Sequence, residues 1–248
     1  MSIAMGTLYG FLLVLIRTAG LAISIPTWGA RQVPMRVRLG LVFVLSFAVY
    51  QAAGAPQLEV PDTLPQLIGA SVAETVIGLI GGLAARFTLE AAGAAGAMVS
   101  TATGLSYGAL VDPMNGAESN ALSQILRFAA LAAAIELGLH REAVMWLIDS
   151  IHSAPVGGTP GIEDALVRAF TQSVYCAALA VRVAFPVLGL VGASYLALGA
   201  IGRVVPQLGL QNLGFSVAVL VGGAALYALA PEAAHRVGAL AAQTFWVR

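Results

Sequence analysis

The sequence predicts an all-α, polytopic membrane protein: helical hairpins built from about six hydrophobic segments, with some helices kinked or broken. Three observations lead there. Of 248 residues, 59% are hydrophobic and only 10% charged, against roughly 25% charged in an ordinary soluble domain. Charge-free runs cover residues 39–58, 91–111, 183–202 and 204–231, and a spanning helix needs about 20 mostly apolar residues. No stretch alternates strand and helix patterns, and no polar region is long enough to stand as a soluble domain. Residues 1–248 therefore read as a single membrane domain.

The segments follow in order. The first covers about residues 7–25, ends at Pro26, and has Trp28 as an interfacial anchor. Its leading residues carry no positive charge, and Arg17 sits inside the apolar run, so it reads as a retained helix and not a signal peptide. The second covers about 37–53 and is followed by a link with Pro56, Pro61 and Pro65. The third covers about 66–93 and runs into a Gly/Ser/Thr-rich stretch that passes Asp112-Pro113 to Gly116. The fourth covers about 121–139, with an amphipathic piece to about Ile151. After the turn-rich link 155–161, the fifth begins near Glu163 and continues past Pro186, where a kink or break is expected. The sixth covers about 210–229, after Pro206.

Charge narrows the function. Twelve basic residues, all Arg, cancel twelve acidic ones, so no net field draws the chain to nucleic acid. Cys176 is the lone cysteine, which excludes an internal disulfide and a cysteine-based metal site. His140, His152 and His235 lack ligand spacing, so neither a metal nor a cofactor is expected. The first link carries Arg31, Arg36 and Arg38, whereas the second carries Glu59 and Asp62. The positive-inside bias then puts the first link in the cytoplasm and the N-terminus outside.

The segments are not clean spans. Arg17, Glu74, Arg86, Glu90, Arg127, Glu136, Arg168, Arg182 and Arg203 all interrupt apolar sequence. Each costs about 2.5–3.5 kcal/mol at a bilayer centre on insertion scales, so such groups face protein or a water-filled path. The alternative is snorkelling from helix ends, which Arg203 beside Pro206 illustrates. Glu74, Gly78, Gly82, Arg86 and Glu90 recur every four residues, so Arg86 and Glu90 can pair and the glycines let another helix approach. Arg168, Gln172, Tyr175 and Arg182 form a polar stripe on the fifth segment. Arg127 and Glu136 point to opposite faces and cannot pair within one helix.

Enzymatic readings are weak. Gly104-Leu105-Ser106-Tyr107-Gly108 matches the nucleophile-elbow pattern, and Asp149 and His235 follow in hydrolase order. The elbow needs a strand before it and a helix after it, but an Ala/Gly-rich, weakly helical stretch precedes it here. Gly192-Ala193-Ser194 admits an intramembrane serine protease, although that motif wants a glycine where Tyr195 stands. A small-solute transporter would use broken helices and repeat-related halves, and no repeat is evident. In residues 104–116, Gly104, Gly108 and Asp112-Pro113 oppose a continuous helix. Leu105, Tyr107, Leu110 and Val111 can line a hydrophobic constriction, or the stretch is a plain connector.

Five stretches in order carry a family resemblance: Arg17-Thr18-Ala19-Gly20-Leu21 with Pro26; Val33 through Leu41, reading VPMRVRLGL; Gly104-Leu105-Ser106-Tyr107 through Asp112-Pro113; His140 followed by Asp149 through Gly157; and Leu198 through Arg203 with Pro206-Gln207 and Gly214-Phe215. The sequence resembles the FliR/SctT family, the R-type component of the type III secretion export gate, over nearly its whole length. It departs from the family pattern at Leu208-Gly209-Leu210-Gln211, at Ser216 and at Gly138-Leu139. The flagellar branch is the nearer one, and the virulence-type injectisome subunit is the alternative.

The resemblance implies a non-enzymatic membrane component of the flagellar basal body in the bacterial inner membrane. Its implied partners are P-type and Q-type subunits, the large export-gate subunits, basal-body components and unfolded export substrates. It further implies a P-like part at about residues 1–160 and a Q-like hairpin at about 161–248. The implied pore plug is the loop holding Gly104, Leu105, Ser106, Tyr107, Leu110, Asp112 and Pro113. Glu74, Arg86, Arg127, Glu136, Arg168, Arg182 and Arg203 are then expected to be buried or to lie between subunits.

Overall fold

A computed structural model describes residues 2–29, 33–106, 120–158, 162–204 and 211–246. Among these residues the chain is helical, with no strand. The helices are α1 (Ser2–Ser24), α2 (Met35–Ala52), α3 (Leu64–Thr103), α4 (Ala121–Glu136), α5 (Leu139–Ser153), α6 (Ile162–Val204) and α7 (Gln211–Gln243), and a 3-10 turn follows at Thr244–Trp246. Five helices are long and apolar enough to cross a membrane, or six spans result if α4 and α5, bent by 64° at their break, count as one.

Several helices outrun their sequence patterns. α3 does not stop near residue 93 but continues to Thr103, because Ala91, Ala92, Ala95 and Val99 are buried along it. α6 runs unbroken through Pro186, with Ala184, Val187 and Val191 buried on both sides of the proline. Packing on both flanks sustains the helix where the ring removes a backbone hydrogen bond. α7 likewise passes Pro231. At 1.5 Å per residue, the 40 residues of α3 and 43 of α6 extend about 60 Å and about 65 Å, twice a hydrocarbon core of about 30 Å.

Local signals place the shorter elements. Pro34 stands before the first residue of α2, where its missing N–H goes unmissed. Asn120 caps α4, its Oδ1 accepting from the Ser123 amide at 3.3 Å. Buried hydroxyls return their protons to their own helices: Thr18 to Val14 O at 2.8 Å, Ser24 to Gly20 O at 2.9 Å and Ser46 to Val42 O at 2.6 Å. In this way these three hydroxyls are held in an apolar bundle with their donors met.

The chain forms two compact units. The first is built from Met1–Phe87, Ile135–Ser173 and Leu240–Arg248, and the second from Thr88–Ala134 and Val174–Ala239. In the first unit, Phe11 of α1 meets Phe43 and Tyr50 of α2 edge-on, each with ring centroids 5.7 Å apart. The Tyr50 hydroxyl lies 3.2 Å from the carbonyl oxygens of Thr7 and Pro56 and ties the link after α2 back onto α1. The α5 face bearing Leu139, Ala143, Leu147 and Ile151 is buried. Trp146 covers Gly81 of α3, and its ring centroid is 6.0 Å from that of Phe245.

The second unit packs α4 and parts of α3, α6 and α7 around Ala95, Val99, Ala184, Val187, Val191, Ala218 and Ala225. Small residues set its helix spacing. Ser123 of α4 donates to Gly93 O of α3 at 2.7 Å, and a Cβ at Gly238 of α7 would come within 2.8 Å of Ala134 N of α4. Backbones approach this closely only where side chains are nearly absent.

Candidate functional site

The densest polar site lies in the first unit. Arg17 of α1 and Glu74 of α3 are both fully buried, with Nε 2.5 Å from Oε2. Arg17 Nη1 donates to Ser150 O at 2.8 Å and to Ser150 Oγ at 3.1 Å, while Nη2 donates to Ala154 O at 2.9 Å. The second carboxylate oxygen of Glu74 accepts from the Gly157 amide at 3.0 Å. Two charges taken from water are tolerated only when further hydrogen bonds meet them, and here each guanidinium nitrogen and each carboxylate oxygen has a partner.

The backbone makes this meeting possible. α1 and α3 touch through glycines from both sides. A Cβ at Gly20 would come within 2.8 Å of Thr75 O, one at Gly78 would strike Arg17 O, and one at Gly82 would come within 2.9 Å of Leu21 O. The four-residue repeat Glu74-Gly78-Gly82 thus receives a helix of the same chain. Gly157 has a φ of +82°, a conformation that suits glycine and turns its N–H toward Glu74. Stretches 17–21 and 149–157, which lie more than 120 residues apart in sequence, converge on one carboxylate.

A second ion pair lies in the second unit. Arg127 Nη1 of α4 is 3.4 Å from Glu90 Oε1 of α3, with side chains 43% and 44% exposed. The Arg127 guanidinium also sits 5.6 Å from the Phe128 ring centroid. Glu90 thus pairs across helices and not with Arg86 on its own helix, because α4 brings a cation to the face that Glu90 presents. Arg86, Glu136, Arg182 and Arg203 are exposed on this chain, whereas Arg17 and Glu74 are fully buried within it. Arg168 falls on α6, and its side chain lies outside the described residues.

The predicted loop starts at the end of α3. Gly104 has a φ of +79°, and its N–H closes back on Thr101 O at 3.1 Å, ending the helix. Leu105 is exposed, and Ser106 Oγ lies 3.5 Å from the Thr101 hydroxyl. Tyr107, Leu110, Asp112 and Pro113 lie outside the described residues. The hydroxyl of Ser194 donates to Val191 O of its own helix at 2.6 Å. Among the described residues no three His, Cys, Asp or Glu side chains gather as a metal site.

Sequence reasoning flagged Arg17 as an interrupting charge but gave it no partner. The available signal was its sign: a lone Arg and a lone Glu, each in an apolar segment, relieve one another when paired. Ser150, Ala154 and Gly157 gave no comparable signal, since two of them contribute only backbone groups.

Long apolar helices, glycine-mediated helix contacts and internally paired charges define a polytopic helical membrane protein. A family model described as bacterial export proteins, family 1, matches residues 8–244, and the chain belongs to that family. It is a membrane component of bacterial export. Over 217 residues it is 29% identical to the flagellar biosynthetic protein FliR of Escherichia coli, covering 88% of this chain and 82% of that protein.

Proposed function

We propose that this chain is the R-type component of the flagellar type III protein export gate. It assembles with P-type and Q-type subunits into the conduit for unfolded export substrates, in a non-enzymatic role. The observation that carries this reading is the family match along nearly the entire chain, joined to a flagellar relative of similar length. In this reading the chain sits in the inner membrane at the basal body with its N-terminus in the periplasm. Residues 1–160 form the P-like part and 161–248 the Q-like hairpin. Helices about twice the bilayer core and exposed Arg86, Glu136, Arg182 and Arg203 support burial against partner subunits in place of lipid.

The residue 104–116 loop plugs the closed pore, with Tyr107 and Leu110 as its bulky apolar groups. Support comes from its base, where Gly104 ends α3 and Leu105 stands exposed. Co-expression tests the assembly: the chain is expected to co-purify with P-type and Q-type subunits and to aggregate alone. A monodisperse, protease-resistant lone monomer overturns it. The double variant Tyr107→Ala/Leu110→Ala is expected to assemble yet leak ions through reconstituted complexes. An assembled variant as tight as the parent reduces the loop to a connector.

A further inference from the structure

The last turn of α3 is held from outside. The final carbonyls of a helix have no partner within it. Ala102 O, in that turn, accepts from the Tyr195 hydroxyl of α6 at 3.3 Å. Thr103, the last helical residue, is 1% exposed, and its Oγ1 donates to Val99 O at 2.9 Å. That bond fixes the rotamer of a stiff β-branched side chain and leaves its methyl against Gly222 of α7. A Cβ at Gly222 would overlap the Thr103 methyl and come within 3.1 Å of Val191 Cγ2 on α6. On the far side, the Tyr195 ring is 3.8 Å from where a Cβ on Gly214 would stand. All these residues belong to the second unit. One residue beyond Thr103, Gly104 turns the chain out of the helix.

We infer that α6 and α7 clamp the end of α3, and that Tyr195 and Gly222 are positioning residues that set how the chain leaves the helix at Gly104. The two contacts are chemically distinct: one is a hydrogen bond to a helix-end carbonyl, the other a backbone surface with no room for a methyl group. Together they fix the last turn against sliding and rotation. The functional consequence rests on the plug reading: a loop seals a pore only if its base is held in place. The Q-like hairpin then controls the plug through its own packing.

The test uses the assembled complex. Leu105, exposed and just past the clamp, is replaced by cysteine in a Cys176→Ser background and spin-labelled. Tyr195→Phe keeps the ring and removes the hydroxyl; Gly222→Ala drives a methyl into Thr103. In both variants the label is expected to become more mobile, and ion leak to rise several-fold, at unchanged complex yield. If Gly222→Ala does not assemble, Tyr195→Phe decides. Unchanged mobility overturns the clamp whatever the leak. A more mobile label beside a tight pore, while Tyr107→Ala/Leu110→Ala leaks, overturns the control of the plug by the clamp. A more mobile label with neither variant leaking keeps the clamp and removes the plug.

Discussion

The two Arg–Glu pairs between helices make the same bond in opposite settings. Arg17–Glu74 is fully buried at 2.5 Å, whereas Arg127–Glu90 is half exposed at 3.4 Å. Both join α3 to a neighbour, and all four residues interrupt apolar sequence. What separates them is their surroundings. Around Arg17, α5 and the link beyond it supply two carbonyls and a hydroxyl, and Gly157 supplies an N–H to Glu74. Around Arg127, among the described residues, Glu90 and the Phe128 ring answer the guanidinium. The first pair is a junction of four segments that no partner subunit can reach. The second is an accessible group that water, or another subunit, can still approach.

The strongest way to break this contrast is to remove one half of the buried pair. Glu74→Leu leaves Arg17 charged and buried, and is expected to destabilise the unit by about 3–5 kcal/mol. Protease resistance and complex yield should both collapse. The double variant Arg17→Leu/Glu74→Leu should recover part of this loss, because no lone charge remains, but not all of it. Ala154 O and the Gly157 N–H would still lose their partners, although Ser150 O keeps the Ala154 amide. A double variant no better than Glu74→Leu would show that hydrogen bonding, not charge, holds the junction.

Gly78→Ala should follow in size. Its methyl strikes Arg17 O, so α1 and α3 must separate, at a cost of about 1–3 kcal/mol. The thermal midpoint of the purified complex should fall clearly, and an unchanged midpoint would mean that the helices part freely. Gly157→Ala should be milder. Its φ of +82° strains any L-residue by about 1–2 kcal/mol, and its Cβ would meet Leu58 Cδ1 at 3.3 Å. Arg127→Gln should be smallest for the fold, since exposed pairs contribute about 0–1 kcal/mol. A loss of thermal stability as large as that of Glu74→Leu would erase the distinction between the pairs.

The prolines sharpen a related point. Pro186 and Pro231 both sit within continuous helices, although proline ordinarily ends one. Of the kink or break expected at Pro186, the break does not occur, because burial of Ala184 and Val187 on either side outweighs one lost hydrogen bond. The real break comes at residues 137–138 between α4 and α5, where Gly138 stands between Glu136 and the polar run His140-Arg141-Glu142.

Composition alone determined that the chain is helical and built for a membrane. An apolar majority with few charges must satisfy its backbone internally, and helices do this locally. Charge placement alone also showed that Arg17 and Glu74 need shelter, because isolated charges are costly in apolar surroundings. The four-residue spacing of Glu74, Gly78 and Gly82 likewise announced a close helix contact. Which helix would arrive, and which charges would meet, was decided only by tertiary structure. Arg17 and Glu74 stand 57 residues apart, and Arg17 and Ala154 stand 137 apart. Partners that distant share no periodicity, and those that act through backbone carbonyls or an N–H leave no side-chain signature to read.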